Sequence, residues 1–332
     1  MNDIALSRLG LGCAQLGGLY TAISDTEAQA VVDAAWDAGL RYFDTAPYYG
    51  FTLSERRLGA ALRQRPRADY MVSTKVGRRM HPDASVRPGE CGWAEPLPFR
   101  PHYDYTYDGV LRSHEDSLQR LGLDSIDILY VHDIGAYTHG ERHEHYWAQL
   151  TYGGGFRALS QLRAQGSVRA IGLGVNESDV VAAAMQECAL DCTLLAGRYT
   201  LLEQSPVLDL CAEKGMRIVA GGVFNSGILA GNGMFNYEQA PDSVLARVAR
   251  IDAVCREFHV PMQAAALQFP LAHPAVASIL TGAQSVAQLR QNAAWLEQPI
   301  PAAFWQALKH AGLLSEQVPV PVTVPVTVPE GA

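Results

Sequence analysis

The sequence predicts an α/β protein folded as a single (β/α)8 TIM barrel, and three observations lead to this prediction. Short apolar runs alternate with amphipathic stretches along the 332 residues without a break in composition, as in repeated strand–helix units. Eight such units can be counted, whereas an open doubly wound sheet normally has roughly five to seven strands. The dinucleotide-binding glycine fingerprint is absent, because Gln15 occupies the position of its third glycine.

The predicted elements alternate regularly along the chain. The strands are Leu9–Cys13, Tyr42–Asp44, Met71–Lys75, Ile126–His132, Ala170–Val175, Thr193–Ala196, Arg217–Ala220 and Ser278–Leu280. The helices are Thr26–Ala38, Ser54–Leu62, Gly109–Leu121, Phe156–Gln165, Ser178–Gln186, Val207–Lys214, Val244–Phe258 and Ser285–Leu296. Start and stop signals support several boundaries, such as Ser24 before the first helix and Gly39 after it.

Two segments do not belong to the bare barrel. Residues 76–106 form an unusually long connection after the third strand, and their tyrosines and Trp93 favour an ordered lid. The tail alternates Val with Pro or Thr, so it cannot be helical and should be extended. We therefore expect a barrel domain over residues 1–315 and an extended tail over 316–332. The tail is interpreted as a mobile terminus, with a functional flap as the alternative.

Composition limits the partners of the protein. The net charge is −8 and no long basic stripe is present, so nucleic acid and anionic membranes are poor partners. The six cysteines are scattered through apolar segments, which favours free thiols in a reducing compartment. No apolar run approaches ~18 residues, and the N-terminus lacks the pattern of a signal peptide. These features predict a soluble cytoplasmic protein with a small-molecule substrate; the oligomeric state is not accessible from the sequence.

Polar side chains follow four consecutive predicted strands. The second strand ends at Asp44, with Tyr49 five residues later; the third ends at Lys75, the fourth ends at His132, and Asn176 directly follows the fifth. Because the C-terminal ends of barrel strands meet at one face, we expect these side chains to converge on one pocket. Asp133, beside His132, could also be catalytic, but it is interpreted as a cap of the following loop.

The converging side chains have complementary chemistry. A phenol is a weak base at pH 7, but the ammonium group of Lys75 favours its ionised form, and Asp44 can hold that lysine by an ion pair. His132 can orient a substrate oxygen by a hydrogen bond. The set forms a proton relay centred on Tyr49, and it requires a separate hydride acceptor.

These motifs resemble the aldo-keto reductase superfamily over nearly the whole chain. The matching stretches are "FDTAPYYG", "STKVG", "ILYVHD" and "GAQSVAQLRQN". The resemblance implies a catalytic tetrad of Asp44, Tyr49, Lys75 and His132, with Tyr49 as the general acid or base. Further stretches, among them "LLAGRYTLLEQ" and "GGVFNSGILA", are similar to a subgroup of aldose 1-dehydrogenases (L-fucose and L-galactose dehydrogenase) and pyridoxal 4-dehydrogenase.

A nicotinamide cofactor is expected on the loops after strands seven and eight, whose small residues expose backbone N–H groups beside a helix N-terminus. The predicted contacts are Gly12, Cys13, Asn176, Phe224, Asn225, Ser226, Gly227, Leu229, Gly282, Ala283, Gln284, Gln288, Gln291 and Asn292. In the family, positions matching Gly282, Gln284 and Gln288 often carry Lys or Arg that hold the 2′-phosphate of NADP. No cation is present there, so NAD is favoured over NADP.

Two departures from the family affect the nicotinamide subsite. The glutamine that binds the amide falls near Ala196, and the stacking aromatic falls near Gly221; neither residue can perform those tasks. Asn176 and Phe224 are the suggested replacements. Tyr48, Trp93 and Tyr137 are predicted to line the substrate pocket. The histidines of "THGERHEHYW" (138–147) are interpreted as part of a solvated loop, with a metal site as the less favoured alternative.

The resemblance implies NAD-dependent oxidation of a cyclic hemiacetal, an aldose such as L-fucose, L-galactose or D-arabinose, to a lactone. The alternatives are oxidation of pyridoxal to 4-pyridoxolactone and NADP-dependent reduction of an aldehyde or ketone. Two other classes remain open at this point. Lys75 could form a Schiff base in an aldolase-like lyase, or the scaffold could serve as a cofactor-sensing regulatory subunit.

Overall fold

A computed structural model describes residues 4–236 and 238–322 and forms a closed barrel of eight parallel strands. The strands, labelled β1 to β8 in chain order, are Leu9–Gly12, Tyr42–Asp44, Met71–Val76, Ile128–His132, Ala170–Val175, Cys192–Ala196, Arg217–Gly221 and Val276–Thr281. Each strand pairs with its neighbour in sequence, and β8 closes the barrel on β1 with Ile279 opposite Leu9. The predicted (β/α)8 fold is confirmed, and the strand boundaries differ by at most about two residues.

Helices surround the barrel. The helices α1 to α12 are Asp25–Asp37, Leu53–Leu62, Tyr107–Leu121, Ala136–His139, His143–Leu150, Gly155–Ala164, Ser178–Glu187, Val207–Glu213, Asp242–Glu257, Met262–Gln268, Val286–Glu297 and Ala302–His310. Ser24 caps the N-terminus of α1, as the sequence predicted. Its side chain and that of Glu27 form a reciprocal capping box. The sequence pattern did not predict α4, α5, α10 and α12, which are between four and nine residues long.

The barrel interior is a compact cluster of side chains rather than a pore. Its buried members are Tyr42, Met71, Ile128, Tyr130, Ala170, Cys192, Leu194, Val219 and Leu280. A second and much larger core fills the space between the strands and the outer helices. Because both faces of each strand are buried, the strands read as continuous apolar runs in the sequence. Polar side chains at the strand ends are therefore exceptional.

The long connection after β3 carries its own hairpin. Residues Arg78–Pro82 pair antiparallel with Phe99–Tyr103, and the tip between them returns across the barrel towards the loop after β1. There the N–H of Tyr20 donates to the carbonyl of Gly92 at 2.8 Å, and Leu19 forms an isolated antiparallel β-bridge with Trp93. These contacts place Trp93, which is 2% exposed, over the C-terminal end of β2.

The histidine-rich segment differs from its prediction. It was expected to be a solvated loop, but α4 and α5 run through it, and His139 is buried against Tyr103, Tyr105 and Tyr146. The hydroxyl of Tyr105 lies 2.9 Å from His139 Nε2. Within residues 4–236 and 238–322, no group of three His, Cys, Asp or Glu side chains could hold a metal ion.

The C-terminal prediction is only partly covered by the structure. Residues 316–322 contain a turn and no helix or strand, with Val318 and Val320 packed against the core. The rest of the predicted extended tail lies outside the described residues. In the part of the chain that the structure describes, no helix is both long and apolar enough to cross a membrane. The cytoplasmic location stays a prediction.

Candidate active site

Three adjacent strands bring the predicted catalytic side chains together. Asp44 is the last residue of β2, Lys75 lies near the end of β3, and His132 is the last residue of β4. In the register of the sheet, Asp44 is opposite Ser73 and Lys75 is opposite Tyr130. The side chains therefore meet at the C-terminal face of the barrel, as the strand-end rule predicts.

Lys75 is the centre of this arrangement. Its Nζ atom donates to Asp44 Oδ2 at 2.7 Å, to the carbonyl oxygen of Thr45 at 2.9 Å and to the hydroxyl of Tyr49 at 3.0 Å. An ammonium group has three N–H donors, and here each has one acceptor. The side chain is 2% exposed. Gly174 of β5 gives its stem room, because a Cβ there would lie 3.1 Å from Lys75 Cε.

Asp44 is anchored on its other side by residues that the sequence analysis missed. Ser73 Oγ donates to Asp44 Oδ1 at 2.7 Å, and the same hydroxyl lies 3.0 Å from the hydroxyl of Tyr42. Tyr42 in turn lies 3.1 Å from the hydroxyl of Tyr130. A buried chain of hydroxyl groups thus fixes the carboxylate from below. The sequence pattern did not indicate this chain of hydroxyl groups, since Ser and Tyr are common in strands.

The turn that carries Tyr49 is tightly constrained. The N–H of Thr52 donates to the carbonyl of Pro47 at 2.8 Å, and Gly50 adopts φ +62. A Cβ at Gly50 would lie 2.3 Å from the carbonyl oxygen of Gly17, so only glycine fits at this position. Ser54, at the start of α2, donates to the carbonyl of Cys13 at 2.6 Å. These contacts fix the backbone that carries Tyr49, and the hydrogen bond from Lys75 orients its phenol.

The ionisation of Tyr49 differs in part from the sequence-based expectation that Lys75 favours its ionised form. Burial raises the pKa of Tyr49 above its ordinary value, and the ammonium group of Lys75 only partly opposes this effect. Burial lowers the pKa of Lys75, but Asp44 and Tyr49 outweigh it, so the pKa of this lysine is raised. Lys75 is therefore a firmly held cation, which disfavours its use as a Schiff-base nucleophile. Tyr49 is a neutral phenol at pH 7.

His132 lies beside Tyr49 and is uncharged. Their ring centroids are 5.9 Å apart, nearly perpendicular. Burial, together with the positive charges of Arg78 and Lys75, holds the pKa of His132 well below its usual range. A neutral imidazole can donate one hydrogen bond to a substrate oxygen without adding a charge to the site.

Asp133 does not have the role expected of it. Its carboxylate does not cap the following loop; Oδ2 accepts a hydrogen bond from Arg78 Nη2 at 2.5 Å and lies 3.4 Å from His132 Nε2. Arg78 also stacks on Tyr48, with its Cζ atom 4.3 Å from the ring centroid. Sequence reasoning missed Arg78, although it lies only three residues after Lys75.

The predicted substrate residues separate into two groups. Tyr48 and Trp93 form an aromatic wall beside Tyr49, with ring centroids 5.6 Å apart from each other and Trp93 5.8 Å from Tyr49. Tyr137 is 63% exposed, and its N–H donates to Glu177. It lines a cavity of about 400 Å³ shared with Asn176 and Arg198. No ring contact joins Tyr137 to the tetrad within residues 4–236 and 238–322.

The predicted cofactor residues lie along the ends of β1, β5, β7 and β8. After β7, Phe224 is half-buried and the backbone of Asn225, Ser226 and Gly227 has positive φ, whereas the Leu229 side chain is buried. Gly12 ends β1, and the adjacent Cys13 thiol is fully buried and directed at the carbonyl of Leu11.

The segment after β8 leads into the capped N-terminus of α11. Ser285 caps α11 by accepting from the N–H of Gln288, whose Oε1 in turn accepts from the N–H of Gln284 at 2.7 Å. The remaining predicted contacts of this segment are Gly282, Ala283, Gln291 and Asn292, of which Ala283 and Asn292 are buried and Gln291 is exposed. Asn292 donates to the carbonyl of Gly282. None of the side chains after β8 up to Leu289 is a cation.

Unpartnered polar atoms test whether a nicotinamide cofactor fits here. Asn176 Oδ1, Asn225 Oδ1 and Thr281 Oγ1 are buried and have no hydrogen-bond partner among the residues that the structure describes. They lie at or just beyond the ends of β5, β7 and β8. Buried polar atoms are rarely left unsatisfied, so a polar ligand with donors and acceptors suits this side of the barrel. The residues present therefore fit such a cofactor.

Comparisons with known proteins agree with the fold and the motifs. The family model described as "Aldo/keto reductase family" matches residues 8–312. A pyridoxal 4-dehydrogenase from Microbacterium luteolum is 50% identical over 328 residues, covering 94% of this chain and 96% of that protein. A D-threo-aldose 1-dehydrogenase from a Pseudomonas species is 45% identical over 323 residues, covering 94% and 95% of the two chains. An aldo-keto reductase structure from Bacillus halodurans superposes with a TM-score of 0.70 at 26% identity, covering 93% of each chain.

The barrel and the polar side chains at its C-terminal face define an oxidoreductase that acts on CH–OH groups with a nicotinamide cofactor. The chain belongs to the aldo/keto reductase family.

The first prediction concerns the buried ion pair. Replacing Lys75 by Met leaves Asp44 buried without its counter-charge, which should lower the free energy of unfolding by about 3–5 kcal/mol. The Asp44→Asn/Lys75→Met double variant should be more stable than Lys75→Met alone. Denaturant unfolding followed by circular dichroism measures both.

The exposed pair of Arg8 and Glu297 provides the control. Arg8→Met should change the free energy of unfolding by less than ~1 kcal/mol, because both partners are mostly in water. Equal losses for Lys75→Met and Arg8→Met would contradict a central role for the buried pair.

Proposed function

We propose that this protein is an NAD-dependent dehydrogenase that oxidises a cyclic hemiacetal, an aldose, at its anomeric carbon to a lactone. The observation that carries the proposal is the position of Lys75 Nζ, which donates both to the carboxylate of Asp44 and to the hydroxyl of Tyr49. This arrangement gives a phenol a fixed cationic neighbour at the mouth of a buried site, as proton transfer requires.

The proposed roles of the side chains follow from their contacts. Tyr49 removes the proton of the anomeric hydroxyl, and Lys75 stabilises the phenolate that this transfer needs. Asp44 holds the lysine in position, and His132 donates a hydrogen bond that orients the reacting oxygen. A bound oxidised nicotinamide supplies the hydride acceptor. Tyr48 and Trp93 form the aromatic wall beside Tyr49, where we place the edge of the sugar ring.

The names of the relatives support the choice of a hemiacetal. Besides the D-threo-aldose 1-dehydrogenase, an L-galactose dehydrogenase from Arabidopsis thaliana is 29% identical, covering 88% of this chain and 84% of that protein. Oxidation of a cyclic hemiacetal at its hydroxyl-bearing carbon gives a lactone. The substrates we propose are L-fucose, L-galactose or D-arabinose.

A specific observation favours a second candidate, pyridoxal 4-dehydrogenase. The Microbacterium luteolum protein with that name is 50% identical over nearly the whole chain. Pyridoxal in its hemiacetal form presents the same chemical group to Tyr49, and its pyridine ring could pack against Tyr48 and Trp93. The product would be 4-pyridoxolactone. Measuring NADH formation with the three aldoses and with pyridoxal, at equal enzyme concentration, separates the two candidates.

The preference for NAD rests on the segment after β8. A 2′-phosphate would need a cation at Gly282, Gln284 or Gln288, and none is present. Gln288 is exposed at the start of α11, where a longer cationic side chain could reach a phosphate. An NADP-dependent aldehyde or ketone reductase, the other alternative, lacks this support.

The second prediction tests Tyr49 as the base. Tyr49→Phe should lower kcat for aldose oxidation by at least ~100-fold, because the hydroxyl that takes the proton is removed. The affinity for NAD, measured by quenching of tryptophan fluorescence, should remain within about twofold of the wild type, since the phenol lies on the substrate side.

Tyr48→Phe is the matched control, because it removes the neighbouring phenol and keeps its ring against Trp93. It should retain at least about a tenth of the wild-type kcat. If Tyr49→Phe retains turnover, the assignment of Tyr49 as the base is wrong.

The third prediction concerns cofactor choice. Gln288→Arg should raise the ratio of NADP to NAD affinity by about tenfold or more, because a guanidinium makes charge-assisted bonds to a phosphate. Equilibrium fluorescence titration with each dinucleotide measures this ratio without turnover.

Gln165→Arg adds the same charge to an exposed position at the end of α6 and should leave the ratio unchanged. If the wild type already binds NADP more tightly than NAD, the proposed cofactor preference is wrong.

A further inference from the structure

An ion pair outside the tetrad lies at the same face of the barrel. Arg78 is 6% exposed, and its Nη2 atom lies 2.5 Å from Asp133 Oδ2. The same carboxylate oxygen is 3.4 Å from His132 Nε2. The charge of Asp133 also acts on Tyr49, since it contributes to the raised pKa of that phenol. The pair is therefore part of the surroundings of the reacting atoms.

The backbone holds Asp133 in an uncommon conformation. Its φ is +42, in the left-handed region that residues other than glycine seldom adopt, although Asp is among those that tolerate it best. Its N–H donates to the carbonyl of Gly174 at 3.0 Å, which fixes the turn against β5. Such strain is concentrated at functional sites. The turn keeps the carboxylate beside His132.

One oxygen of Asp133 remains available. Oδ2 is engaged by Arg78, whereas Oδ1 has no hydrogen-bond partner within residues 4–236 and 238–322, and the side chain is 23% exposed. An ionised carboxylate can accept roughly four hydrogen bonds, so most of this capacity is unused.

The aromatic wall offers a donor in the same region. Trp93 Nε1 is buried and has no partner in the described part of the chain. Unsatisfied donors and acceptors together suit a ligand that carries several hydroxyl groups, because a hydroxyl both donates and accepts.

We infer that Asp133 is a specificity-determining residue that accepts a hydrogen bond from the hydroxyl on ring carbon C2 of the aldose, and that Arg78 positions its carboxylate. The inference rests on the proposed function, in which the reacting oxygen on C1 accepts a hydrogen bond from His132. Hydroxyls on neighbouring ring carbons are about one hydrogen-bond length apart. A C2 hydroxyl would then lie near the carboxylate of Asp133, whose Oδ2 atom is 3.4 Å from His132 Nε2.

The experiment compares two sugars that differ only at C2. D-Arabinose and 2-deoxy-D-ribose are oxidised with NAD, and kcat/KM is measured for each; L-galactose and 2-deoxy-L-galactose form a second such pair. In the wild type, loss of the hydroxyl should lower kcat/KM on the order of tenfold to a hundredfold, as expected for a hydrogen bond to a charged group. In Asp133→Asn the same change should cost less than about threefold.

Two further variants make the comparison independent of folding defects. Asp133→Gly tolerates the positive φ and removes the carboxylate altogether, so it should also lose the preference for the C2 hydroxyl. Asp191→Asn is the matched control, since it breaks a similar pair, Arg163 with Asp191 at 2.7 Å, before β6 at the opposite end of the barrel. This control should keep the wild-type ratio, and NAD affinity should be unchanged in all three.

The outcomes separate the two proposals. If the wild type oxidises both sugars and Asp133→Asn lowers both rates equally, Asp133 has only a structural role and the inference is wrong. The same holds if the wild type does not distinguish the two sugars. If the wild type forms no NADH with any aldose, the proposed function fails and the inference falls with it. A ratio that collapses in both Asp133 variants and persists in Asp191→Asn supports the inference.

Discussion

The arrangement of the candidate site depends on one ammonium group that makes three hydrogen bonds while its side chain is almost completely buried. Lys75 joins the end of β2, the turn that follows it and the phenol of Tyr49. Burying a charge is costly unless it is paired and hydrogen-bonded, and here each donor has an acceptor. Ser73 and Tyr42 extend the network below Asp44 into the barrel interior. The fold and the chemistry therefore share the same contacts.

This constraint explains the electrostatic balance of the site. Burial raises the pKa of Tyr49 and so makes its phenolate scarcer at neutral pH than that of a phenol in water, and Lys75 offsets only part of that effect. Burial, together with the positive charges of Arg78 and Lys75, lowers the pKa of His132 and keeps it neutral, and the carboxylates of Asp44 and Asp133 compensate the two cations. Two positive and two negative side chains thus surround one phenol and one imidazole. Such a preorganised set of charges stabilises a developing negative charge with little rearrangement.

The sequence predicted the barrel and the tetrad because both follow from local patterns. Strand-like runs report the eight strands, and a polar residue at the end of an apolar strand reports the C-terminal face. The pairing of Arg78 with Asp133 could not be predicted, since it joins the hairpin after β3 to the residue that follows β4 and needs a backbone with positive φ. The helical path around His139 was also missed, because its burial depends on Tyr103, Tyr105 and Tyr146 from other elements. Pattern reasoning treats an isolated His in a polar run as solvated.

The role of Tyr49 as the base can be tested most directly by the pH dependence of kcat/KM for aldose oxidation in the wild type. The pKa of Tyr49 is raised, so the ionised fraction of its phenol at neutral pH is small. As long as the pH stays below that pKa, the ionised fraction grows about tenfold for each unit by which the pH increases. We expect kcat/KM to rise steadily from about pH 6 to pH 9, because only the ionised phenol can accept the proton. A profile that is flat or falls over this range would contradict the assignment of Tyr49 as the group that removes the proton.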